Sequence, residues 1–373
     1  MAKAINAVTG AFEAAPEKAL AWHDARTLTL EGRGWSETPG PYDRLPARAE
    51  GAVHELDWRF SQHSAGMVVR FVADSPEISV RWFLKSTDIA MAHMPSTGVS
   101  GVDLYVRGSA GWSWLAAMLP GTPLGEKNEH RLVTGLAPGP RELSVYLPLY
   151  NGVSAVEIGI SVGASIAPAP PRQRNIRPLV FYGTSIPQGG CASRPGMAYP
   201  SIVGRRLDAP TINLGFSGSG RCEPAIVDLL AELDAGIVVI DSIVNMEPGI
   251  VEERMRNLLD VFSRRRPRTP LVLMEEAVPP SFYARQRTLQ TPKSATLQRV
   301  FDERRADWGG RLFLVKGDGL LGDDGEGTVD GVHPTDLGFL RIADVLAPFI
   351  GKVLAGAAGQ GAGGAVGPGN AGR

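Results

Sequence analysis

The sharpest constraint in this sequence is a change of hydrophobic period across Ala167 to Arg174, which reads APAPPRQR. Upstream, short stretches alternate apolar and polar residues at period two: Met67 to Val72, Glu77 to Leu84, Val102 to Arg107, Trp112 to Met118, Arg131 to Gly135 and Glu142 to Leu149. Glycine, proline, serine or asparagine separates them, and no long helical period interrupts them, which is the pattern of antiparallel strands in a β-sandwich. Downstream, apolar runs at Pro178 to Tyr182, Thr211 to Leu214, Ile237 to Asp241, Leu271 to Met274 and Leu312 to Val315 alternate with amphipathic segments. Runs that are apolar on both faces suit a parallel sheet, and the segments between them suit its covering helices. These helices are expected near Gly196 to Leu207, Pro224 to Leu233, Ile250 to Arg265, Lys293 to Trp308 and Thr335 to about Val353.

The reading is therefore of two domains in a chain of 373 residues, a length sufficient for two hydrophobic cores. A β-sandwich of jelly-roll-like type occupies 21–166, a linker 167–174, and an open five-stranded α/β domain of flavodoxin-like size 175–354. Residues 1–20 form an N-terminal segment. The end, 355–373, reads AGAAGQGAGGAVGPGNAGR; it holds too little apolar surface to offset its ordering entropy and is expected to be disordered.

Charge narrows the partners. Lysine plus arginine number 38 against 39 aspartates and glutamates, a net charge of −1, so no global field draws the chain to nucleic acid or an anionic membrane. The first twenty residues lack an apolar run of signal-peptide quality, and no run of 18 apolar residues follows. The expectation is a soluble, cytoplasmic protein, or a secreted one if a leader is missing from this sequence. The two cysteines, Cys191 and Cys222, are too few for a disulfide scaffold, and no CxxC or Cys/His spacing suggests structural zinc. They are either two free thiols or one disulfide. No cofactor is called for, and oligomeric state is not legible.

In open α/β sheets, function sits beyond the carboxyl ends of the strands, which narrows the search to five loops. The first strand ends in Tyr182-Gly183-Thr184-Ser185-Ile186. A serine just past a buried strand, near the next helix start, presents its hydroxyl at the sheet edge beside free amides, so Ser185 is either a nucleophile or part of a capped turn. Pro187 stands where G-x-S-x-G would need glycine, which disfavours an ordinary α/β-hydrolase elbow. Of six histidines, only His333 lies in the α/β half. It ends Asp330-Gly331-Val332-His333, where a carboxylate three residues upstream can hold Nδ1 and aim Nε2 at a serine. Paired with a strand-end serine, this reading outweighs that of a capping aspartate beside a surface histidine.

An acyl transfer needs oxyanion donors as well. The second strand runs into Asn213-Leu214-Gly215-Phe216-Ser217-Gly218-Ser219-Gly220, where Gly218 is the candidate donor. Its glycines fall in the wrong order for a dinucleotide fingerprint. The third strand leads to Ser242-Ile243-Val244-Asn245-Met246, where the Asn245 amide is a further donor or a loop residue bonded to its own backbone.

Serine, glycine, asparagine and histidine after successive elements of such a domain resemble the SGNH (GDSL-type) hydrolase superfamily. Its first block usually reads GDS and here reads Gly183-Thr184-Ser185; its third usually reads GxND and here reads Ile243-Val244-Asn245-Met246. The DxxH block matches Asp330 to His333 in full. In the first half, Gly101-Val102-Asp103-Leu104-Tyr105 is similar to the GxDLY motif of the β-sandwich found ahead of some SGNH esterases. The resemblance implies a serine esterase with Ser185, Asp330 and His333 as triad and Ser185, Gly218 and Asn245 as oxyanion donors. It implies removal of a small acyl group, most simply acetyl, from a carbohydrate or similar polar alcohol. The alternatives are an acyltransferase with an alcohol acceptor and an inactive carbohydrate-binding protein.

Other residues could line the cleft. Trp22, Trp35, Trp58, Trp82, Trp112 and Trp114 precede the linker; most suit a sandwich core better than a sugar platform. The loop Met91-Ala92-His93-Met94-Pro95 either overhangs the site or is structural. Glu275 and Glu276 lie on the catalytic edge, but adjacent residues on an extended segment face opposite ways and make no glycosidase pair.

Overall fold

A computed structural model of the chain describes residues 19–121, 127–172, 176–277, 291–356 and 365–366. Its first half comprises β1 (Leu20–Asp24), β2 (Thr29–Glu31), α1 (Glu55–Ser61), β3 (Val68–Ala73), β4 (Ile78–Leu84), α2 (Ser96–Val99) and β5 (Val102–Gly108). β6 (Gly111–Met118), β7 (Lys127–Val133), β8 (Arg141–Tyr146), β9 (Val153–Ser161) and β10 (Ile166–Pro168) complete it. These strands form two antiparallel sheets, one in the order β1-β9-β4-β7 and the other β10-β3-β8-β5-β6 with β2 also on β3. Inward-facing side chains such as Val69, Phe71, Val80, Trp82, Val145 and Ile158 fill the space between them.

Alternation located the strands from β3 to β8. It did not reveal β1, β2, β9 or β10, nor the helix α1. β9 carries glycine where alternation would place a side chain: a Cβ on Gly159 would lie 2.9 Å from Cζ3 of Trp22, so the empty position seats that ring. β10 pairs Ala167 and Pro168, residues read as linker, with β3 at the sheet edge, where proline's missing donor is tolerated.

The second half runs β11 (Leu179–Gly183), α3 (Ser185–Gln188), α4 (Tyr199–Leu207), β12 (Thr211–Gly215), α5 (Pro224–Leu230), β13 (Ile237–Asp241) and α6 (Pro248–Arg265). β14 (Leu271–Met274), α7 (Pro292–Arg304), β15 (Leu312–Val315), α8 (Asp336–Gly356) and β16 (Ala365–Val366) follow. Five buried parallel strands take the flavodoxin-like order β12-β11-β13-β14-β15. The chain reverses its direction of winding at β11, so the crevice beyond the carboxyl ends of β11 and β13 is the place for a ligand.

One expectation needs correction. Disorder was expected over 355–373, yet α8 continues to Gly356, and Ala365–Val366 pair in parallel with Leu314 and Val315 as a sixth strand. An open sheet edge offers unpaired backbone groups to any extended segment, whatever its side chains. The remaining tail positions, 357–364 and 367–373, lie outside the described residues.

The two halves share cores. One face of the parallel sheet is closed by α5, α6 and α7 together with Trp35, Leu45 and Ala49 from the first half. The other is closed by α4 and α8 together with Ala65, Met94, Val99, Leu149 and Tyr150. The GxDLY residues face the same seam. Asp103, fully buried, accepts from the Gly196 amide at 3.1 Å and from Arg194 Nη1 at 2.6 Å, while the Arg205 guanidinium stacks 4.0 Å from the Tyr105 ring. Of the six early tryptophans only Trp82 and Trp35 are buried, and Trp35 belongs to the α/β core; Trp114 is exposed.

Candidate active site

Ser185 owes its position to a crowded strand end. β11 stops at Gly183, where a Cβ would fall 1.8 Å from the Asp241 carbonyl oxygen of the neighbouring strand; only glycine permits that approach. Thr184 then caps α3 by accepting from the Ile186 amide, and Ser185 occupies the first position of the turn. Its side chain is almost fully buried, and its backbone amide is one of the donors that a helical start leaves unpaired.

The His333 Nε2 atom lies 2.9 Å from Ser185 Oγ. On the other side of the ring, Nδ1 lies 2.7 Å from Asp330 Oδ2. The second carboxylate oxygen accepts the backbone amides of His333 at 2.8 Å and Val332 at 3.0 Å, so the loop folds around its own aspartate. Partial burial pushes the Asp330 carboxyl up, but the His333 amide and ring and the Val332 amide together hold it down at about 2. The carboxylate is therefore ionised wherever the imidazole is neutral, which favours a proton on Nδ1 and a lone pair on Nε2 facing the serine.

Gly218, on the loop after β12, and Asn245, on the loop after β13, are joined through Ser219. Gly218 sits exposed at φ +67, a left-handed conformation that glycine adopts without strain. The half-buried Asn245 donates from Nδ2 to the Ser219 carbonyl at 2.9 Å, which leaves one of its two amide protons for another acceptor. Glu275 and Glu276 are held in ion pairs with Lys316 and Lys293. Cys191 and Cys222 are both buried free thiols. Burial and the nearby Asp330 charge push the Cys191 thiol up to about 11.

Several supporting residues carry no sequence signature. Gln188 accepts the Ser217 amide at 2.9 Å and donates to the Leu149 carbonyl at 3.0 Å, tying the Gly218 loop to the serine turn. Arg44, fully buried, donates to the carbonyls of Phe60, His63, Asn213 and Gly215 and so fixes the end of β12 from the first half. Burial brings its guanidinium down to about 9. Asp57 on α1 accepts the Gly220 amide at 3.2 Å, and burial pushes its carboxyl up to about 6. The Tyr150 hydroxyl donates to the Ser185 carbonyl at 3.3 Å. His93, exposed on the loop between β4 and α2, brings its ring to 5.4 Å from that of His333.

Comparison with known proteins bears on this geometry. Residues 176–351 match the GDSL-like lipase/acylhydrolase family, and 20–166 match the GxDLY family, the N-terminus of SGNH-hydrolase-type esterases. The solved structure of a protein assigned as a GDSL-like lipase from Bacteroides ovatus shares 30% identity and a TM-score of 0.82, over 90% of this chain and 98% of that one. The chain belongs to the GDSL-like lipase/acylhydrolase family. As a member it is a carboxylic ester hydrolase.

The fold of this GDSL-like hydrolase is shared more widely. A salicylyl-acyltransferase from a tetracycline biosynthetic pathway aligns with a TM-score of 0.68 at 16% identity, over 91% of this chain and 98% of that one. A family two carbohydrate esterase from Cellvibrio japonicus aligns at 0.57 and 12% identity, over 91% and 99%. A search of curated proteins returns no match.

Proposed function

We propose that this esterase removes a small acyl group, acetyl in the simplest case, from a hydroxyl of a carbohydrate or similar polar alcohol through an acyl-enzyme on Ser185. The observation that carries the reading is the unbroken line from Asp330 Oδ2 through His333 to Ser185 Oγ, with contacts of 2.7 and 2.9 Å. Ser185 attacks the ester carbonyl as His333 Nε2 takes its proton, and Asp330 stabilises the imidazolium. Donors for the oxyanion are the Ser185 and Gly218 amides and the remaining amide proton of Asn245. His333 returns the proton to the departing alcohol and then draws one from the water that frees the enzyme.

Water is the favoured acceptor because the His333–Asp330 end of the triad reaches solvent, with side chains 19% and 36% exposed. A carbohydrate alcohol is favoured by the shared fold with family two carbohydrate esterases, one of them from Clostridium thermocellum in complex with cellohexaose. Ser185→Ala should abolish hydrolysis of an aryl acetate while leaving the circular dichroism spectrum and unfolding midpoint in place. Unchanged hydrolysis would discard the nucleophile. A panel of acetylated sugars and longer-chain aryl esters, run with and without alcohol acceptors, then reads acyl length, leaving group and any acyl transfer.

A further inference from the structure

Two side chains beside the triad have no part in the proton path just described. His93 comes from the β half, Cys191 from the segment after α3, and with Asp330 and His333 their ligating atoms all lie within 4.8 Å of one another. The Cys191 sulfur makes no hydrogen bond among the described residues, and its backbone is held at φ +69, a conformation that non-glycine residues seldom adopt. The fold places a thiol there at the expense of backbone strain.

We propose that His93, Cys191 and His333 bind a zinc-class divalent cation, and that its occupation silences the esterase by engaging the Nε2 lone pair of His333. This regulation rests on the acyl-enzyme reading above. The donor set is the first reason. One thiolate and two imidazoles suit zinc and exclude magnesium and calcium, which take oxygen ligands. Orientation is the second. A metal-binding histidine characteristically donates its other ring N–H to a carboxylate, and His333 already does so to Asp330 at 2.7 Å. Reach is the third. Zinc bonds of about 2.0 to 2.3 Å place tetrahedral donors roughly 3.5 Å apart, so donors already within 4.8 Å of one another need to close by about 1.3 Å at most, and the exposed His93 side chain can turn toward the ion. The fourth position is left for water. A metal on Nε2 and a serine proton on Nε2 exclude each other, so binding and turnover compete for one atom.

The test uses the full chain, freed of metal with a chelator, and Co2+ or Zn2+ alone as probe. Co2+ should produce a thiolate-to-cobalt charge-transfer band in the near ultraviolet that is absent from Cys191→Ser, which separates this thiol from Cys222. Zn2+ should stop aryl acetate hydrolysis at one ion per chain, with recovery on chelation and no effect of Mg2+. Cys191→Ser should hydrolyse normally without metal, which certifies its fold, and both it and His93→Ala should need roughly tenfold or more Zn2+ for the same inhibition. Absence of the band, persistent hydrolysis at saturating Zn2+, or equal inhibition of the wild type and both variants would overturn the proposal. If metal-free wild type fails to hydrolyse any ester, the acyl-enzyme reading falls instead, and the cobalt band, which needs no turnover, still decides whether the site exists.

Discussion

In the α/β half, every group on the proton path sits on two loops at one sheet edge: Ser185 after β11, Asp330 and His333 ahead of α8. In the β half, Arg44, Asp57 and Tyr150 reach the same edge and hydrogen-bond main-chain groups there, at Gly215, Gly220 and Ser185. One half thus holds the reacting atoms, and the other holds the main chain that presents them. The difference follows from what each task demands. Proton transfer requires particular side chains at hydrogen-bond distance, whereas bracing a carbonyl or amide can be done by any donor or acceptor that packing delivers.

Substitution in each half should separate the two tasks. The largest effect is expected from Asp330→Asn, which keeps an acceptor for the Val332 and His333 amides but misplaces the ring proton. Hydrolysis of an aryl acetate should fall on the order of 10⁴-fold in kcat with the unfolding midpoint little changed. A loss of tenfold or less would mean that the imidazole orients itself, and the division between halves would blur.

Arg44→Met should act in the opposite sense. Four carbonyls lose their donor, and at typical values for unsatisfied buried groups the chain should lose about 3 kcal/mol or more in urea unfolding. Because Gly215 leads into the Gly218 loop, kcat should fall as well. Stability preserved in full would sink the idea that the β half braces the site.

The smallest effect concerns pH. The Asp57 carboxyl rises from 3.8 to about 6 on folding because burial disfavours its charge. A raised carboxyl lends stability that is complete below its unfolded value and is lost as pH climbs through 6. Asp57→Asn can still accept the Gly220 amide and does not ionise, so it should gain on the wild type by about 2 kcal/mol between about pH 4 and about pH 6. Parallel pH profiles of the two proteins in urea unfolding would show that Asp57 is not held in an apolar setting.

Much of the second half was legible from its residues. The five parallel strands stand where the apolar runs stand, since a strand buried on both faces leaves no ambiguity of period. Ser185, Asp330 and His333 could be paired because a parallel sheet puts the carboxyl ends of its strands on one side. The first half was legible only where alternation is clean. β9 escaped because Gly159 yields its place to the Trp22 ring, and α1 because seven residues are too few to establish a helical period. Gln188 and Arg44 escaped for a different reason: no spacing links Gln188 to Ser217 or Arg44 to Gly215. The His93 and Cys191 approach to His333 is hidden in the same way, since three distant segments converge there.

From its residues alone this chain specifies a parallel sheet, the order of its loops, and a serine, an aspartate and a histidine at the loop positions where ester chemistry is done. Those are local matters of period and of neighbours a few residues apart. Folding in space decides that Arg44 and Asp57 hold the catalytic main chain, that the GxDLY aspartate fastens one half to the other, and that a thiol and a second imidazole stand beside the base. Such contacts depend on shape and on the saturation of buried polar groups, and these requirements can be met from anywhere along the chain.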